Sequence, residues 1–257
     1  MLPVICREGA LIGSSNLNYA GEDGRMKQGS VFGLRYGESP LQIVALVVGN
    51  KQEKTNEFWS AYPVCSCGVE NRLKVNETIP DRDGTEGVIN ASTTFGGSIG
   101  FFDPYFFLNK DGSIEGSERN VSLAGLAYVL RKAEQDGITI NEGPMIQEEK
   151  DRVLRENPHA DVSKITSVFI SMKGAALYLP LRESPDEGEF RICVDEVEFF
   201  RLGGREYCRI RGVLMRDDDN PLVADIYASG HVLEGYKPAV GDDIEGICWM
   251  QGFFSNS

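Results

Sequence analysis

The chain has 257 residues, 41% hydrophobic and 25% charged, which is the mix of a folded protein long enough for one large or two ordinary domains. Its 39 Asp and Glu outnumber 26 Lys and Arg, a formal charge of −13, so neither nucleic acid nor an anionic membrane surface is expected as a partner: phosphate binding draws on Lys and Arg, and an acidic excess repels it. The longest apolar run, Ile43 to Val48 behind Leu41, is far short of the roughly 20 residues a spanning helix needs. No membrane span is expected.

From the N-terminus, residues 1–8 carry no basic leader followed by an apolar run, which points to a cytoplasmic protein with its six cysteines reduced. Residues 7–30 are polar, weakly patterned and open to mobility. Glycine is frequent, 29 of 257 residues, and separates short β-branched and aromatic runs as turns do. Residues 31–36 and 41–48 flank Gly37-Glu38-Ser39-Pro40 and predict a hairpin. Residues 69–75 alternate as a strand, and 87–94 with 98–102 predict a second hairpin around Gly96-Gly97. Ser122 as a cap, Leu123, Leu126, Ala127 and Leu130 at helical spacing, and Gly137 as a stop predict an amphipathic helix over 122–135. Pro144 opens a second, thinly apolar helix that ends at Asn157-Pro158.

The polar stretch 135–163 predicts a connection, with a domain boundary near 160. Beyond it, strands are expected at 168–170, 175–181, 190–200, 207–215, 222–227 and 244–254, with a one-residue slip near Asp195-Glu196 that suggests a β-bulge. The expected fold is therefore a β-dominated α+β protein of two packed parts. Residues 1–160 form a β-rich domain carrying the amphipathic helix, and 161–257 form a small barrel like that of the oligonucleotide/oligosaccharide-binding (OB) fold.

Among candidate sites, Asn109, Asp111, Gly112 and Glu118 fall on positions of a calcium loop of the EF-hand kind, but Phe107 stands where the leading carboxylate belongs and no helix precedes it. An Asp-Gly turn is the simpler account. Two acidic groups, Asp217-Asp218-Asp219 and Asp242-Asp243 with Glu245, suit solvated turns and offer a face to a basic protein. Nothing in their spacing sets the geometry a metal ion requires. Two histidines and a lone Cys65-Ser66-Cys67 do not build a zinc site, and no nucleophile elbow, phosphate loop or dinucleotide fingerprint is present, so no cofactor is expected. Aromatic residues crowd around Phe102 and Asp103, and Trp249 with Tyr227 and Tyr236 offers a stacking platform on a barrel.

Gly100-Phe101-Phe102-Asp103 with residues 123–128, and residues 241–252 from Gly241 to Gly252, resemble segments of uncharacterised bacterial proteins. The resemblance covers about a third of the chain. It implies a bacterial cytoplasmic protein built around these β segments, and names no activity or site residue.

These observations favour a non-catalytic protein-interaction module whose binding residues are Asp217, Asp218, Asp219, Asp242, Asp243, Glu245, Phe102, Asp103, Tyr236 and Trp249, and whose partner is basic. The alternative is an enzyme in which Asp103 and an acid of the C-terminal half face each other across a cleft, as two carboxylates do in glycoside hydrolysis.

Overall fold

The computed structural model describes residues 2–20, 26–50, 55–110, 114–217 and 220–255. After a short helix α1 (Leu2–Glu8), the strands β1 (Ala10–Ala20), β2 (Met26–Tyr36), β3 (Leu41–Asn50) and β4 (Thr55–Cys65) form an antiparallel sheet in chain order. Its first hairpin thus includes residues of the weakly patterned segment 7–30. The β2–β3 hairpin falls where the glycine and proline of 37–40 predict it.

The next strands are β5 (Val69–Pro80), β6 (Gly87–Ser92) and β7 (Ser98–Phe102), followed by the helical turn α2 (Phe106–Asn109) and β8 (Glu118–Lys132). A long excursion then holds β9 (Gly137–Ile140), α3 (Pro144–Glu156), a 3-10 turn (Val162–Lys164), β10 (Val168–Ser171), β11 (Leu177–Pro180), β12 (Glu187–Cys193), β13 (Glu196–Leu202), β14 (Arg205–Asp217), β15 (Asn220–Ser229) and α4 (Gly230–Leu233). The last strand is β16 (Asp243–Phe254).

β5, β6, β7, β16 and β8 close on themselves as a five-stranded barrel. β5 pairs antiparallel with both β6 and β8, β6 with β7, and β16 antiparallel with β8, while β16 meets β7 in parallel at Gln251 opposite Phe102. Alternate residues point inward, among them Leu73, Val75, Ile89, Ile99, Phe101 and Met250, and this core continues beneath β12, β14 and β15. The fold is β-dominated, as the alternation predicts, and it contains a small barrel.

The barrel's place differs from the expectation. Only β16 of its five strands lies beyond residue 160, and the remainder come from residues 69–132. Alternation reveals that a strand is half-buried but not which neighbour it bonds. Residue 160 falls between α3 and the 3-10 turn, inside the excursion that separates β8 from β16, and the ten-stranded sheet takes strands from both sides of it. The region 122–135 is also not a helix but strand β8 and the residues after it. The β8–β16 register shifts beside Ile247 and Cys248, with Cys248 opposite Ala127 and Ile247 opposite Val129, so Tyr128 is the extra residue. That bulge places Leu123, Ala127 and Leu130 on one face, spaced by four and three, which imitates a helix. The slip near Asp195 is a change of partner between two strands: β12 bonds β16, and β13 bonds β14. α3 forms where Pro144 opens it and buries no side chain.

Candidate functional site: a groove beside the barrel

The aromatic cluster of 101–107 divides between two cores. Phe101 and Phe106 fill the barrel, while Phe102 and Phe107 belong to the core under the four-stranded sheet. Phe102 sits 4.9 Å from the Tyr62 ring, nearly perpendicular to it, and 4.9 Å from Trp249. The Trp249 Nε1 donates to Asp186 Oδ2 at 2.7 Å, and the Tyr62 hydroxyl donates to the Pro104 carbonyl at 3.0 Å. Phe102 and Trp249 are thus brought together, against protein on both sides. Tyr236 lies elsewhere, its hydroxyl bonded to Asp242.

Asp103 is fully buried. Its Oδ1 accepts from the Tyr105 N–H at 2.9 Å and its Oδ2 from Asn109 Nδ2 at 2.7 Å, so both oxygens brace the α2 turn. Burial raises its pKa to about 6, against the lowering effect of those two bonds. The other carboxylate buried among the described residues, Asp225 on β15, accepts from Arg211 Nε at 2.9 Å and lies 3.2 Å from Arg209 Nη1.

Of the acidic groups, Asp243 reaches the turn at Gly174, which Arg216 reaches as well. Gly174 donates its N–H to Asp243 Oδ1 at 2.9 Å and accepts from Arg216 Nη2 at 3.3 Å, next to Asp217. Asp218 and Asp219 lie outside the described residues, as do Asp111 and Gly112 of the Asp-Gly turn. Asp242 is occupied: the Lys132 ammonium, the Tyr236 hydroxyl and the Ala239 N–H hold its carboxyl below the usual range. Among the described residues, no three His, Cys, Asp or Glu side chains are grouped so as to hold a metal ion. No helix there is long and apolar enough to cross a membrane.

Glu245 leads to a different place. On the outer face of the sheet β8–β16–β12–β11 the register sets Arg131, Glu245, Arg191 and Leu177 in one row, and Val129, Ile247, Glu189 and Leu179 in the next. Ile138 of β9 and Met172 after β10 stand over these rows, leaving a groove of about 450 Å³. Its apolar wall is open to solvent, with Val129 44%, Ile138 45% and Leu179 50% exposed. Glu245 Oε1 accepts from Arg131 Nε at 2.9 Å, and Arg191 Nη1 lies 3.7 Å from Glu245 Oε2. Glu189 stands exposed in the middle of the floor, and Glu187, two residues on, accepts from the Tyr128 hydroxyl at 3.1 Å.

Of the residues lining this groove, Glu245 alone was legible in the sequence as a candidate. Glu187, Glu189 and Arg191 alternate with the inward Phe190 and Ile192, a signal that marks an outward face but not what stands over it. No family model, curated protein or solved structure matches the chain.

Proposed function

We propose that the chain is a non-catalytic protein-interaction module of the OB type, and that it receives an extended, basic and apolar segment of a partner in the groove between β8–β16–β12–β11 and the β9–β10 ribbon. The barrel's Greek-key order, with its last strand entering between the third and the fourth, supports the OB reading. OB barrels bind through the face of their second and third strands and through the loop between the fourth and the fifth. Here the outer face of β7 is covered: Phe102 packs on Tyr62, and the Pro185 carbonyl lies 2.1 Å from where a Cβ on Gly100 would be. The excursion from β8 to β16, which corresponds to that loop, instead builds the groove.

The observation that carries the reading is the groove itself, an apolar strip open to water with the exposed carboxylate of Glu189, which has no partner among the described residues, on its floor and Glu187 beside it. Exposed aliphatic side chains in a row favour a ligand that buries them, and the net charge of −13 steers a basic one toward it. The carboxylate-pair alternative needs Asp103 to face a second acid. Both its oxygens are bonded within its own turn, so that alternative is not carried forward.

Selection of random octapeptides on the immobilised protein tests the reading. Peptides rich in Lys or Arg and in Leu, Ile, Val or Phe are expected, with binding weakened at least tenfold between low and high salt and lost in Leu179→Glu. Enrichment of acidic peptides, or identical enrichment on the Leu179→Glu variant, overturns it.

A further inference from the structure

Arg191 is the buried charge of the groove, and most of its donors are unfilled. The residue is only 8% exposed, yet of the five N–H donors a guanidinium carries, one has a hydrogen bond among the described residues: Nη2 donates to the Gln135 carbonyl. Nη1 is 3.7 Å from Glu245, beyond hydrogen-bond reach, and Nε is buried with no partner. Glu245 is itself engaged at 2.9 Å by Arg131, so this end of the groove holds two guanidinium groups against one carboxylate. A buried cation with unfilled donors is costly to a fold, and a planar carboxylate fills two of them at once.

We infer that the Arg191 end of the groove binds a carboxylate, and that this is the free C-terminal carboxylate of the bound segment. The inference rests on the reading of the groove as the partner's site and adds which end of the partner it takes. An Asp or Glu side chain fits the charge pattern less well. Along β12 the outward position after Arg191 is Glu189 and the next is Glu187, so acidic side chains on the ligand meet like charge while basic and apolar ones do not. A chain terminus supplies the anion without an acidic side chain. Leu177, opposite Arg191 in the register, and Ile138 provide apolar surface for the last side chain of the segment.

The test uses the full chain and two versions of one random octapeptide library, identical except that the first ends in a free carboxylate and the second in an amide. Peptides selected from the first library are expected to bind at least tenfold more tightly than their amidated counterparts. Arg191→Gln lowers the free-acid peptides to the level of the amides, while Arg191→Lys, which keeps the charge without the fork, recovers part of the difference. Circular dichroism and the Tm of each variant verify that it is folded. Equal affinity of acid and amide forms overturns the C-terminal inference and leaves the groove reading standing. Absence of selectable peptides in both libraries removes the groove reading, and the inference with it.

Discussion

Asp103 shows how a residue chosen for its chemistry serves a fold. Its carboxyl is buried between the barrel and the four-stranded sheet, and it fixes α2 so that Phe106 enters the barrel core while Phe107 lies against Gly33 of β2, where a Cβ would come within 2.3 Å of its ring. The pKa of about 6 in the folded chain lies above the ordinary aspartate value, so the native state holds a proton that the unfolded chain has released. The stability from this group is complete at acid pH and is lost as pH rises from about 4 through about 6. Asn keeps the acceptor for Tyr105, and Asn109 can turn its amide to match. Asp103→Asn is therefore expected to unfold at equal or higher urea concentration at pH 7, and to lack the part of the slope between pH 4 and 6 that Asp103 contributes. An identical pH dependence in the two proteins would contradict the buried carboxyl. In sequence, Phe102-Asp103-Pro104 was legible as a special position. Its role was not, because the groups that bond it, the Tyr105 N–H and the Asn109 amide, look like any loop residues.

At the scale of elements, β8 carries the main discrepancy. A strand whose inward side chains are displaced by a bulge at Tyr128 has the spacing of an amphipathic helix, and its other face is also partly covered, Leu126 lying beside Tyr227 and Cys65. Sequence spacing does not separate the two when bulge and coverage coincide. The helix α3 and the two N-terminal hairpins were legible because each is punctuated locally, by Pro144 and Asn157-Pro158 or by glycine turns. Gly125 distinguishes strand from helix directly. In β8 a Cβ there would stand 2.8 Å from Ile226 Cδ1 and 3.1 Å from Cys248 Sγ, beneath β15 and β16. Gly125→Ala, which would stabilise a helix, is expected to cost about 1–3 kcal/mol by overpacking. Urea unfolding reads the sign, and a stabilised variant would contradict the close approach.

The whole molecule joins the four-stranded sheet to the barrel through buried polar and aromatic contacts. Gln251 of β16 donates to the Pro63 carbonyl at 2.8 Å and accepts from the Cys65 N–H at 3.0 Å, beside the Tyr62, Phe102 and Trp249 rings. With that side of the barrel covered, the outer face of β8, β16, β12 and β11 offers an open groove. Its floor was half legible: the alternation of β12 turns Glu189 and Arg191 to the outer face, but the β9–β10 ribbon beside them is separated from β12 in sequence and its packing is a tertiary fact. The acidic excess was legible as a charge, but its location was not, since Asp242 is used by Lys132 and by the turn before β16. The groove, as the proposed seat of a partner segment, is directly testable. The most direct measurement is a methyl NMR titration of the Ile-, Leu- and Val-labelled chain with a peptide selected from the free-acid library. Shifts concentrated at Val129, Ile138, Leu177, Leu179 and Ile247 are expected. Shifts centred instead on Val213, Leu214 and Val223, near the Asp217 turn, with the groove methyls unmoved, would contradict it.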